Sequence, residues 1–123
     1  MLSGVFPPIT TPFKDDGRLD QDALAHNVER WGRTRLSGLV VLGSNGEAPL
    51  LDDEERDAAI RTAVEAAPSH FKIIAGTGRE STPATIRATE RAARLGAHFA
   101  IVVNPHYYKS QMDSATLLAH YRA

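Results

Sequence analysis

Residues 38–47 read GLVVLGSNGE, an uninterrupted aliphatic run followed by a turn of glycine and polar residues. A continuous apolar run of this length is typical of a strand that is buried on both faces of a parallel sheet. Beyond the turn, Asp52 and Glu55 have the spacing of a capping box with Asp in place of Ser or Thr, which predicts the start of a helix. The segment therefore predicts one strand–turn–helix unit.

The same alternation of strand-like and helix-like segments extends along the whole chain. We predict strands at residues 5–10, 38–42, 71–75 and 99–103. Each strand is followed by a predicted helix, and the capping residues of these helices are Asp20, Asp52, Ser81 or Thr82, and Asp113. Successive strands start roughly 30 residues apart, as a parallel crossover unit requires. The pattern therefore predicts an α/β fold with about four βα units.

Two architectures contain four such units: a small doubly wound sheet and the first half of a TIM (β/α)8 barrel. The apolar pattern of the last helix continues to Ala123 without a cap, whereas a complete domain usually ends its last helix with a cap or a polar tail. A typical barrel has about 250 residues, and this chain has 123. We therefore expect residues 1–123 to form the N-terminal half of a single TIM-barrel domain, with parallel strands in sequential order.

The composition argues against several classes of function. With 42% hydrophobic and 24% charged residues, the chain is typical of a soluble globular protein, and its net charge of −1 favours neither a nucleic-acid nor a membrane partner. There is no cysteine, and the five histidines have no metal-ligand spacing, so we expect neither a thiolate site nor a metal or other cofactor. The first residues do not resemble a secretory signal, and we expect a cytoplasmic location.

Loops at the carboxyl ends of the predicted strands are the places to look for a site, because both architectures bind ligands there. In the turn at 43–47, glycines expose backbone N–H groups, while Ser44 adds a hydroxyl and Asn45 an amide, a set suited to a small carboxylate. The spacing does not match a nucleotide-phosphate loop. Local capping of the turn would explain the same residues. Tyr107 could relay protons, or could equally pack on the barrel or at a subunit contact.

The three lysines bear on one reaction mechanism in particular. A lysine that forms a Schiff base must project into the barrel near the carboxyl end of a strand, where desolvation lowers its pKa. Lys72 falls at the start of a predicted strand, and Lys14 and Lys109 fall in predicted loops. We therefore expect that none of these lysines forms an imine.

Four motifs together resemble those of the dihydrodipicolinate synthase/N-acetylneuraminate lyase family of pyruvate-dependent Schiff-base aldolases. They are PITTPF at 8–13, GSNGE at 43–47, IAGTG at 74–78 and VVNPHYY at 102–108. The resemblance implies a TIM-barrel lyase, homotetrameric in its full-length form, in which a 2-keto acid forms an imine with a lysine beyond residue 123. It also implies that Ser44 and Asn45 bind the substrate carboxylate. Ser44 and Tyr107 would be catalytic members of a proton relay, with Tyr107 supplied by a neighbouring subunit.

Within the family, the Ser44–Asn45 pair and the Tyr107–Tyr108 pair are most similar to those of 4-hydroxy-2-oxoglutarate aldolase and of sugar-acid aldolases that release pyruvate. An alternative is 4-hydroxy-tetrahydrodipicolinate synthase, in which Thr-Thr more often stands at positions 44 and 45. An alternative of another class is a non-catalytic α/β binding module of four units. If the chain is part of an enzyme, the resemblance implies that these 123 residues are inactive alone.

Overall fold

The computed structural model describes residues 2–123, which form four α-helices and three β-strands. In chain order these are α1 (Gln21–Gly32), β1 (Gly38–Val41), α2 (Asp53–Ala66), β2 (Lys72–Gly76), α3 (Thr82–Arg94), β3 (Phe99–Ile101) and α4 (Ser114–Arg122). The strands are parallel in the order β1-β2-β3, with Gly38 opposite Lys72 and Ile74 opposite Phe99. The predicted α/β class and the sequential order of these strands are confirmed.

The strand predicted at residues 5–10 is reduced to a single parallel bridge between Pro8 and Val40. Ile9 N–H donates to the Val40 carbonyl at 3.0 Å, and Val40 N–H donates to the Pro7 carbonyl at 2.9 Å. Pro7 lacks the N–H group that would continue a regular ladder toward Val5, although Ser37 N–H still donates to the Val5 carbonyl at 3.0 Å. The segment nevertheless runs beside β1, where the first strand of a sequential parallel arrangement belongs.

The helices begin where their capping residues predict. The N-cap side chains are Asp20, Asp52, Ser81 and Asp113. Asp52 and Glu55 form a complete capping box, because each side chain accepts from the other's backbone N–H, at 2.8 and 3.2 Å. Gly96, with φ of +93°, follows the end of α3 in the left-handed conformation that glycine adopts most easily.

The core lies between β1, β2 and the first two helices. Its most deeply buried large side chains are Leu24, Val28, Leu39, Val41, Phe71 and Ile73. By contrast, all three residues of β3 are exposed, and α4, all of which is described, contributes no buried residue. The carboxyl end of β1 is therefore attached to the best-packed part of the molecule. No helix within residues 2–123 combines the length and the apolar character needed to cross a bilayer.

Candidate active site

The turn at the carboxyl end of β1 presents two of the predicted site residues side by side. Residues 44–46 form one turn of 3₁₀ helix, closed by hydrogen bonds from Gly46 N–H to the Gly43 carbonyl (2.9 Å) and from Glu47 N–H to the Ser44 carbonyl (3.2 Å). Ser44 and Asn45 are exposed. Within the described residues, neither side chain makes a hydrogen bond, and the backbone N–H groups of both residues also lack a protein acceptor. Four donor groups at this point, the Ser44 hydroxyl, the Asn45 amide and the two backbone N–H groups, are thus available to a ligand.

Two side chains that the sequence analysis did not single out contact the backbone of this turn. The Thr11 hydroxyl donates to the Gly46 carbonyl at 2.7 Å. The Arg56 guanidinium donates to the Ala48 carbonyl through Nε at 3.0 Å and through Nη2 at 2.6 Å. Thr11 lies in the PITTPF motif at 8–13, which does not by itself distinguish it from Thr10, and Arg56 lies in the first turn of α2 without a distinguishing local pattern.

Tyr107, the third predicted site residue, lies in the loop after β3 and is 77% exposed. Its ring packs edge-on against that of Tyr108, with 4.9 Å between the ring centroids. Within residues 2–123 the Tyr107 hydroxyl makes no hydrogen bond to Ser44, so this single chain does not assemble the expected relay. The carboxyl ends of β1 and β3 nevertheless lie on the same edge of the sheet, since the strands are parallel.

Glu80 determines the position of the backbone at Tyr107. Its carboxylate accepts the N–H groups of His106 and Tyr107, each at 3.0 Å to Oε2, and it pairs with the His106 ring at 3.0 Å. The hydrogen bond from Tyr107 N–H is the largest cause that lowers the pKa of Glu80, with the bond from His106 N–H adding to it. The loop after β2 therefore holds the loop after β3.

A charge network links the start of α2 to α3 and to the loop before α3. Asp53 pairs with Arg91 at 3.0 Å, with Arg79 at 3.5 Å and with Arg56 at 3.8 Å. Arg91 also pairs with Asp57 at 3.2 Å. Burial tends to raise the pKa of Asp53, but Arg91 and Arg79 outweigh burial, and the pKa is lowered. Within the network, burial and the nearby Arg79 and Arg91 lower the pKa of Arg56, and the pairing with Asp53 opposes them.

The glycines of the IAGTG motif have a structural explanation. A Cβ at Gly76 would lie 1.9 Å from the Leu42 carbonyl oxygen, and one at Gly78 would lie 2.7 Å from the Val103 nitrogen. Thr77 between them is buried, and its hydroxyl bonds that of Thr89 at 2.8 Å. Glycine is therefore required here for the close approach of neighbouring chain segments.

The lysines occupy the positions that the sequence predicts. Lys72 is the first residue of β2, at the amino end of the strand, and its side chain is exposed. Lys14 and Lys109 are exposed in connections between elements, the latter in a short 3₁₀ turn. None of the three projects from the carboxyl end of a strand.

A cleft of about 390 Å³ is not lined by any of the predicted site residues. Its lining includes Glu80, Thr82, Met112 and His120, between α4 and the start of α3. The Thr82 hydroxyl bonds His120 Nδ1 at 2.8 Å, and Glu80 is already engaged by the loop after β3. The cleft therefore separates two packed elements, and Ser44, Asn45 and Tyr107 lie outside its lining.

The chain matches known proteins over its whole length. A model of the dihydrodipicolinate synthetase family matches residues 1–123. The 4-hydroxy-tetrahydrodipicolinate synthase of Xanthomonas campestris pv. campestris is 43% identical over 122 residues, which are 99% of this chain and 40% of the relative. The synthase of Methanothrix thermoacetophila is 40% identical, with the same coverage of both chains. The chain thus spans about two fifths of the length of these curated relatives.

A solved structure has the same fold over nearly all of the chain. It is the chloride-inhibited dihydrodipicolinate synthase of Acinetobacter baumannii in complex with pyruvate, with a TM-score of 0.91 and 32% sequence identity, covering 99% of this chain and 41% of that one. The expected fold, part of a TIM barrel, is confirmed by this superposition. Sequence and fold agree, and the chain belongs to the dihydrodipicolinate synthetase family.

Proposed function

We propose that this chain supplies the substrate-carboxylate loop of a Schiff-base lyase that uses or releases pyruvate. The observation that carries the proposal is the position of Ser44 and Asn45, adjacent on the turn that follows β1, with unbonded side chains within residues 2–123. Substrates of TIM-barrel enzymes bind at this end of the strands. The pyruvate in the complex of the Acinetobacter relative supports a small 2-keto acid as the substrate class.

The groups on the turn have distinct chemical roles in this proposal. The Asn45 amide and the free backbone N–H groups donate to the carboxylate, which holds the keto carbon in a fixed orientation. The Ser44 hydroxyl both donates and accepts, so it can pass a proton between the substrate and the Tyr107 phenol of a neighbouring subunit. The imine forms on a lysine of a later strand, as the family resemblance implies.

The curated relatives favour the synthase reaction as the first candidate for the full-length protein. Both relatives described above are 4-hydroxy-tetrahydrodipicolinate synthases, at 43% and 40% identity. The sequence alone favours the aldolase reaction and gives the synthase reaction as the alternative.

The aldolase reaction on 4-hydroxy-2-oxoglutarate is the second candidate, because of the Ser44–Asn45 pair. The shorter serine side chain and the asparagine amide change the shape and the donors of the turn relative to Thr-Thr. The two reactions share the pyruvate half of the chemistry and differ in the acceptor.

A chimera tests the proposal: this chain joined to the remaining part, about three fifths, of the Xanthomonas relative. We expect the chimera to form 4-hydroxy-tetrahydrodipicolinate from pyruvate and the amino aldehyde co-substrate. In the chimera, Ser44→Ala should lower kcat on the order of 10²–10³-fold because the proton relay is broken. Asn45→Ala should mainly raise KM for pyruvate, because it removes a contact made in the ground state as well.

Ser44→Thr is the matched control, since it keeps the hydroxyl and should retain most of the activity. Two values of kcat/KM separate the two candidates, one for the synthase reaction and one for cleavage of 4-hydroxy-2-oxoglutarate. Their ratio in the chimera is compared with their ratio in the Xanthomonas parent. A ratio shifted toward cleavage favours the aldolase. A folded chimera without turnover, or one indifferent to Ser44→Ala, contradicts the proposal.

A further inference from the structure

The turn at residues 43–47, called the Ser44 turn below, has a non-glycine residue in the left-handed conformation at each end. The backbone φ is 61° at Leu42 and 52° at Glu47. Branched and long side chains rarely adopt this conformation, and it persists only where the surrounding structure enforces it. Leu42 is buried, but Glu47 is exposed, so packing of its side chain does not hold the far end of the turn.

Thr11 is placed to hold that far end. It is buried, at 7% exposure, and its hydroxyl donates to the Gly46 carbonyl at 2.7 Å. Gly46 is itself buried against the same segment, since a Cβ on it would lie 3.1 Å from the Ile9 carbonyl oxygen and 3.3 Å from the Thr11 hydroxyl. The hydroxyl thus binds the backbone immediately after Asn45.

The segment that carries Thr11 is anchored to the strand that carries the turn. Ile9 N–H donates to the Val40 carbonyl at 3.0 Å, two residues before Thr11. The segment is therefore bonded to β1 through Ile9 and to the turn that follows β1 through Thr11. Arg56 holds the next part of the chain through the Ala48 carbonyl, so the turn is fixed from two sides.

We propose that Thr11 is a positioning residue for residues 43–47, the loop that is proposed to bind the substrate carboxylate. The Thr11 hydroxyl holds the Gly46 carbonyl and thereby keeps Ser44 and Asn45 in the orientation that binds substrate. The identity of the ligand in this inference rests on the proposed function. The effect of Thr11 on the order of the turn can be measured without ligand. This role is proposed for the hydroxyl, so a variant that keeps the hydroxyl and lacks the methyl separates the hydrogen bond from packing.

Amide hydrogen exchange of the full 123-residue chain, in the assembly it forms, tests the inference. The reporters are the N–H groups of Gly46 and Glu47, which close the turn, and the references are Lys72 N–H and Thr77 N–H, bonded to the Ser37 and Ile101 carbonyls. Thr11→Val replaces the hydroxyl by a methyl group of similar size and leaves the Gly46 carbonyl without its Thr11 donor. We expect exchange at Gly46 and Glu47 to accelerate on the order of tenfold or more, with the references unchanged.

Thr11→Ser is the matched control, because it keeps the hydroxyl and should restore exchange to within about twofold of the natural chain. Unchanged exchange in Thr11→Val, equal acceleration at the references, loss of folding in Thr11→Val, or an unprotected turn in the natural chain would each overturn the inference. Addition of millimolar pyruvate tests the proposed function separately. If pyruvate shifts the Ser44 and Asn45 amide resonances in neither chain, the ligand assignment fails while the exchange result stands.

Discussion

Glu80 holds the backbone of the Tyr107 loop through its carboxylate. Its carboxylate receives two backbone N–H groups and faces the His106 ring. Because these hydrogen bonds hold the pKa of Glu80 below its usual value near 4.5, the folded chain binds this proton less readily than the unfolded chain does. The contribution of Glu80 is therefore complete above about pH 4.5 and is lost as the pH falls through the lowered pKa.

Replacing Glu80 by Gln should loosen the loop at neutral pH and remove its acid dependence. The Gln amide offers a neutral acceptor, whose hydrogen bonds to N–H groups are weaker than those of a carboxylate. Exchange of the His106 and Tyr107 amides, measured between pH 3.5 and 7, reports the effect. Glu90→Gln, on the exposed side of α3, is the control. If Glu80→Gln leaves the exchange of both amides unchanged at pH 7, Glu80 does not hold the loop.

At the level of residues, the sequence predicts groups that face solvent from a loop better than groups that support the loop. Ser44 and Asn45 stand out because polar residues follow an apolar strand directly, and the structure places them on one turn. Thr11 reaches its partner across 35 positions and Glu80 reaches Tyr107 across 27. Contacts at such separation depend on the packing of several elements, and no local pattern encodes them.

At the level of elements, His98 closes the amino end of the β2–β3 pair. Its backbone N–H donates to the Ile73 carbonyl at 2.9 Å, and its ring Nδ1 accepts from Ile73 N–H at 3.2 Å. A protonated ring cannot accept this bond. Burial lowers the pKa of His98, and the nearby Lys72 lowers it further.

Acidification should therefore weaken the β2–β3 pairing. A lowered pKa in the folded state means that the unfolded chain takes up the proton first, so stability is complete well above the usual value of 6.5 and falls as the pH drops through the folded pKa. Melting temperatures between pH 8 and pH 5 should decline in the natural chain and decline less in His98→Gln. His26→Gln, on the exposed face of α1, should behave as the natural chain does. An identical decline in both variants would exclude His98 as the cause.

Element boundaries could be predicted wherever the signal is local. Asp20, Asp52, Ser81 and Asp113 cap the four helices because a side chain and an N–H group two or three residues later suffice. Strand ends depend on the neighbouring strand instead. The sequence predicts that the last strand reaches residue 103, but the strand ends at Ile101, because β2 ends opposite it at Gly76 and offers no further partner. Pro7 shortens the first strand because it has no N–H to donate to β1.

At the level of the whole molecule, burial is uneven. The side between β1, β2, α1 and α2 is close-packed, whereas Phe99, Ile101 and Val103 are 43%, 44% and 55% exposed. A closed barrel has no such edge, because its strands pair all the way round. Burying each aliphatic side chain contributes roughly 1.5–3 kcal/mol, so several exposed ones are a large fraction of the roughly 5–15 kcal/mol stability of a typical domain.

We therefore expect any well-ordered form of these residues to be a multimer or to be joined to the later strands of a barrel. Sedimentation velocity combined with thermal unfolding checks this. Ile101→Glu should shift the chain toward a monomer with a broad, weakly cooperative transition, since a charge on the exposed edge opposes association. Ile86→Glu, on the outer side of α3, is the matched control. A sharp melt of a monomeric natural chain would contradict the expectation.

In the proposed division of roles, this chain binds the substrate carboxylate while a later strand supplies the lysine that forms the imine. The sharpest test is borohydride reduction in the presence of pyruvate, followed by peptide mass spectrometry. The 123-residue chain should give no reduced adduct, because Lys72 lies at the amino end of β2 and Lys14 and Lys109 are exposed in connections. The chimera with the Xanthomonas relative should give one adduct, on a lysine beyond residue 123, and Asn45→Ala should raise the pyruvate concentration needed to form it. A pyruvate adduct on Lys14, Lys72 or Lys109, or a folded chimera that forms none, would contradict this division of roles.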